Sequence, residues 1–180
     1  MKINVKNMAN ESVKDLTLAD SVWNIEINEA VMHDAIVLAQ ASVRQGTAST
    51  KTRSEVSGGG IVFGPKPRKY NKKQNRKERR LALKSALSCK FQDKELVVVE
   101  NLNLETNKTK NFNEILKNLN IDGKALVVYA DENENLFLAS RNNNKVAVVS
   151  TDQINVLDLV AASHLLIDES SVKKIEEVLD

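Results

Sequence analysis

A single cysteine, Cys89, rules out any disulfide within the chain, and a lone thiol fits a reducing compartment. Its neighbours Leu87 and Phe91 predict a buried helix position rather than a reactive thiol. No apolar run approaches the roughly 18 residues needed to span a bilayer, and residues 1–20 lack the apolar stretch of a secretory signal. A cytoplasmic protein with no membrane partner is therefore expected. Aromatics supply only 4% of the 180 residues, with one tryptophan, Trp23, so aliphatic side chains must build most of the core. At 42% apolar content the length suits one globular domain over residues 1–180. Glycine and proline are scarce too, yet five of the six glycines and both prolines fall between residues 44 and 90.

The same stretch holds the charge. Residues 44–90 carry fourteen Lys or Arg against two acids, Glu55 and Glu78, which makes them +12 within a chain of formal net charge +2. The other 133 residues therefore sum to −10. A segment this one-sided must be solvated, neutralised by a polyanion, or both. Arg44, Lys51 and Arg53 lead to Gly58, Gly59 and Gly60; Lys66, Arg68, Lys69, Lys72 and Lys73 follow Pro65. Glycine lets backbone approach a ligand, and proline fixes φ at about −65° while removing a donor. Residues 45–75 are accordingly expected to form an extended basic loop. Phe63 and Tyr70 interleave with the cations, and aromatic rings beside phosphate-binding Arg and Lys are how unpaired RNA bases are held. Either ring has the alternative of packing the loop's own stem. The stretch reads as a nucleic-acid-binding arm.

Helical periodicity predicts a first helix capped by Asn28, with Met32, Ala35, Ile36, Ala39 and Val43 on one face, stopped at Arg44-Gln45-Gly46. A second starts near Asn75, with Glu78 placed for a capping box, and runs through Leu83, Leu87 and Lys90. Arg76, Arg80 and Lys84 lie four apart, one stripe round from Leu83, Leu87 and Phe91, so this helix can bury one side and offer the other to phosphates. From residue 95 β-branched runs alternate with helical ones. Buried strands are expected at 96–99, 125–129, 146–149 and 164–167. Helices are marked by Phe112, Ile115, Leu116 and Leu119, by Ile154, Leu157 and Val160 or Ala161, and by Val172, Ile175, Val178 and Leu179. Alternation of this kind predicts an α/β fold, a mainly parallel sheet flanked by helices, with the basic loop inserted after the first helix.

An α/β sheet invites comparison with nucleotide-dependent enzymes, but the turns after the strands, at 100–103, 130–133, 150–152 and 168–169, contain no glycine. Gly58, Gly59 and Gly60 follow no strong strand and precede no helix, so they fail the context of a phosphate loop. His33 and His164 have no ligand-spaced partner, which leaves no metal site. Asp131, Glu132 and Glu134 sit among asparagines and read as a solvated turn. Ser57, Ser85 and Ser88 lack a nucleophile elbow. No catalytic residue, cofactor or metal is expected.

The strings RQGTASTKTRSEVSGGG over 44–60, IVFGPKPRKY over 61–70 and RRLALKSALS over 79–88 resemble the bacterial family of large-subunit ribosomal protein number four, as do INVLDL over 154–159 and VKKIEEVL over 172–179. The resemblance implies a structural and assembly protein, not an enzyme. Its expected partners are large-subunit ribosomal RNA, neighbouring large-subunit proteins and, in a regulatory alternative acting off the ribosome, its own messenger leader. By matching motif, Arg44, Lys51 and Arg53 would lie on an ingoing arm and Lys66, Arg68, Lys69 and Tyr70 on a returning one. Arg76, Lys77, Arg79, Arg80 and Lys84 match the family's basic helix. In the family the loop tip lines the polypeptide exit tunnel.

One departure is large. The family places a stretch rich in Arg, Lys and Gly between two glycine triplets, whereas here Gly60 runs directly into Ile61 as though the triplets had fused. A naturally short loop, an engineered deletion and a tip missing from an incomplete sequence read alike.

Overall fold

The computed structural model describes residues 1–104, 106–130 and 133–180. The chain opens with a hairpin of Lys2–Lys6 (β1) and Ser12–Thr17 (β2), turned by Asn7, whose Oδ1 accepts from the Ala9 and Glu11 amides. A one-turn helix, Asp20–Trp23 (α1), precedes Glu29–Ser42 (α2), so the basic excursion follows the second helix and not the first. After it come Arg76–Gln92 (α3), Leu96–Val99 (β3), Thr109–Asn118 (α4), Ala125–Tyr129 (β4) and Glu134–Ser140 (α5). Val146–Ser150 (β5), Val156–Ala161 (α6), His164–Asp168 (β6) and Glu169–Leu179 (α7) complete the fold.

Among the described residues the six strands form one sheet in the order β2-β1-β3-β6-β4-β5, parallel except for the antiparallel edge strand β2. The register aligns Val98, Ile167, Val128 and Val149 in one row, and Val97, Leu166, Val127 and Val148 in the next. Successive side chains point to opposite faces, so alternate rows feed opposite cores. Val98, Leu126, Val128, Leu165 and Ile167 join Trp23, Leu87, Leu159 and Ile175 on one face. Val99, Val127 and Leu166 join Phe112, Leu116 and Leu136 on the other. This is the expected α/β architecture, with helices on both faces of a mainly parallel sheet.

Details depart from the sequence reading where local signals were weak. Helix α5 begins at Glu134, its Asn133 cap accepting from Leu136 N, where a solvated turn was expected. Asp131 and Glu132 lie outside the described residues. Ile154 precedes α6 rather than belonging to it. Cys89 is only half-buried; partial burial, then hydrogen bonding to Asp93, pushes its thiol above the usual value, the direction opposite to that of an activated thiolate.

One ion-pair cluster ties the sheet edge to the last helix. Glu169, at the start of α7, meets Lys14 of β2 at 2.6 Å and Lys173 at 2.9 Å. Hydrogen bonds from Lys14, then Lys173, hold its carboxyl below the ordinary value of 4.5. A depressed carboxylate adds stability that is present above the unfolded value and lost as pH falls through the folded one. Urea unfolding should therefore find Glu169→Gln less stable than the parent at pH 7, with the gap closing by pH 3. An equal gap at both pH values would remove the ion pairs as its cause.

A candidate nucleic-acid interface

The arm is a stitched hairpin without regular secondary structure. Its two strands run antiparallel: the Arg68 amide donates to the Gly46 carbonyl at 3.0 Å, and the Thr50 amide to the Pro65 carbonyl at 3.2 Å. Near the tip Gly60 lies against the Thr52–Arg53 backbone, and a Cβ there would come within 2.6 Å of Arg53 N. Gly46 has φ of +67°, and a Cβ would fall onto the Arg68 carbonyl oxygen. Both the left-handed backbone and the close approach demand glycine there. Gly46→Ala should open the stem, and faster amide hydrogen exchange at Thr50 and Arg68 would report it. Unchanged exchange would mean that the two bonds do not hold the arms.

At the base of this stem the Arg44 guanidinium lies 4.1 Å and that of Arg68 4.6 Å from the Tyr70 ring centre. Arg68, then Arg44, holds the phenol below its usual value. Of the two roles expected for Tyr70, packing the stem is the one visible in its contacts. Phe63 is the opposite case, 97% exposed, beside Ile61 and Val62 at the arm's end.

The two acids of the basic stretch neutralise none of its cations. Glu55 accepts from the Thr52 amide and hydroxyl, closing a turn. Glu78 forms the predicted capping box with Asn75 at the start of α3. Lys90 is buried and spent on Glu95 and the Ala162 carbonyl. Among the described residues, none of Arg44, Lys51, Arg53, Lys66, Arg68, Lys69, Lys72, Lys73, Arg76, Lys77, Arg79, Arg80 and Lys84 makes an ion pair within the chain. All but the half-buried Lys84 are exposed.

On α3 the grouping differs from the expected Arg76, Arg80 and Lys84 stripe. Arg76, Arg79 and Arg80 line one groove with Leu83, while Lys84 lines a separate hollow with Leu81, Ile25 and Ile27. At about 100° per residue Arg76, Arg79 and Arg80 lie about 20°, 40° and 60° round the helix from Leu83, whereas Lys84, the next residue, is turned about 100° away from it. Cations in the first turns of a helix oppose its dipole. Three arginines are placed there against that cost.

The ribosomal protein L4/L1 family model matches residues 16–60 and 57–178. The two matches share residues 57–60, so Ser57, Gly58, Gly59 and Gly60 end one and begin the other. The large ribosomal subunit protein uL4 of Brevibacillus brevis is 45% identical over 204 aligned positions covering 99% of each chain. That of Lachnospira eligens is 41% identical over 202 positions and 98% of each. Because the first alignment has 204 positions and this chain 180 residues, at least 24 positions stand opposite no residue here. With both matched pieces of the family model joined at the fused triplet and such relatives spanning its length, the chain belongs to the ribosomal protein L4/L1 family.

Proposed function

We propose that the arm and the arginine face of α3 bind large-subunit ribosomal RNA. The chain is a structural constituent of the large ribosomal subunit in the cytoplasm and not an enzyme, as its family membership supports. Through the RNA contact it aids subunit assembly, sits beside neighbouring large-subunit proteins, and extends its arm toward the polypeptide exit tunnel with less reach than its longer relatives. The observation that carries this reading is the run of exposed cations that the chain leaves without an acid partner. Their charge calls for phosphates, whose neutralisation by Lys and Arg releases counterions.

Sucrose-gradient fractionation of growing cells, with intact mass of the gradient protein, tests it. Co-sedimentation with large subunits at the 20.0 kDa of this chain is the expected result. Recovery mainly at the top of the gradient would overturn the subunit role and fit a free regulator instead.

A further inference from the structure

Helix α2 is rich in apolar residues, yet none of its fourteen is buried. Val31, Met32, Ala35 and Ile36 rest partly on the core, while Leu38, Ala39 and Val43 face a groove closed by α3, Ile154–Leu157 and the end of α7. This groove encloses about 590 Å³. That lies within the roughly 300–1,000 Å³ typical of sites for small-molecule-sized groups. Its lining is largely aliphatic, joined by Arg76, Arg79 and Arg80 from α3. The side-chain amides of Gln74 and Asn155 also line it, each able to donate and accept.

An occupant must therefore bring an apolar body and negative charge together. It must also be reachable from the arm, because Gln74 and Arg76 continue directly from Lys72 and Lys73 at its returning end. We propose that this groove takes an unpaired nucleotide of the RNA that the arm binds. Its base lies over Leu38, Ala39 and Leu83, and its phosphate meets the guanidiniums of Arg76, Arg79 and Arg80. Arginine planes and apolar side chains commonly hold splayed-out bases in this way. The inference rests on the RNA-binding reading of the arm and of the α3 arginines, and adds the apolar side of the groove as the seat of a base.

Site-specific photocrosslinking separates the two. p-Benzoylphenylalanine is placed at Leu38 in one full-length chain and at Lys66 of the arm in another, each is incorporated into large subunits in cells, and irradiated subunits are analysed for RNA and protein adducts. The expected result is a crosslink from position 38 to one or a few adjacent nucleotides, alongside an RNA crosslink from position 66. An RNA adduct at 66 with a protein adduct, or none, at 38 overturns the groove while leaving the arm as the RNA contact. Absence of RNA adducts at both positions overturns the underlying reading and the groove with it. A Val43→Glu chain gives an independent reading. Val43 is 79% exposed at the groove, so the change spares the core, and a carboxylate there should weaken binding to a large-subunit RNA transcript about tenfold. Unchanged binding would count against the groove.

Discussion

Replacing Arg76, Arg79 and Arg80 together with alanine will make RNA binding weaker and less dependent on salt. Each phosphate neutralised contributes roughly 0.7 to 0.9 to the slope of log affinity against log salt, so losing three contacts should flatten it by about 2 to 3 and cost on the order of 100-fold in affinity near 0.1 M salt. Folding should not suffer, because the three side chains are exposed and their charges oppose the dipole of α3. Filter binding to a large-subunit RNA transcript across a salt series would show the change, with a melt confirming an intact fold. Exposed Lys117, on α4 across the sheet, provides the control, and its replacement should leave the slope alone. A slope unmoved by the triple substitution would remove this face from the interface.

Trp23→Ala is expected to be the most destabilising single substitution in the core. Trp23 is fully buried on a helix of one turn, which has almost no stability of its own. Its Nε1 donates to Glu176 Oε1 at 3.0 Å, the same oxygen that accepts from the Ala19 amide at 2.8 Å. The Ser88 hydroxyl donates to the Val22 carbonyl at 3.1 Å, so α1 is pinned between α3 and α7. Truncating a buried tryptophan costs about 3–5 kcal/mol. For a chain of this size that is a fall of roughly 6–20 °C in melting temperature. Trp23→Phe keeps much of the volume but loses the hydrogen bond and part of the ring, so it should fall between the parent and Trp23→Ala. A Trp23→Ala melt within a couple of degrees of the parent would show that the α1 site relaxes to fill the void.

The sequence made the parallel sheet legible because its strands are buried on both faces and read as unbroken β-branched runs, as at Leu96–Val99. The α2 and α3 boundaries were equally plain, since Asn28 caps one and Asn75 with Glu78 boxes the other. The N-terminal hairpin was not, because edge strand β2 is almost wholly exposed and carries charge within its run. At the interface, composition identified the cations but not their grouping. Helical spacing favours Arg79 over Lys84 only once Leu83 is known to line the same groove, since Arg79 is about 40° from it and Lys84 about 100°. The groove had no sequence signal, since α2, α3, α6 and α7 bring it together from distant parts of the chain. Engagement of Tyr70 by two arginines likewise needs the arms to be paired first.

The stitching of the arm governs how much order binding must create. A free strand that docks in RNA gives up about 1–2 kcal/mol of backbone conformational entropy per residue fixed. In this chain the pairs Gly46–Arg68 and Thr50–Pro65, and the ring of Tyr70 against Arg44 and Arg68, have already fixed much of the path. On the RNA contact proposed above, the arm would meet its partner largely pre-ordered, and more of its electrostatic attraction would be left to appear as affinity.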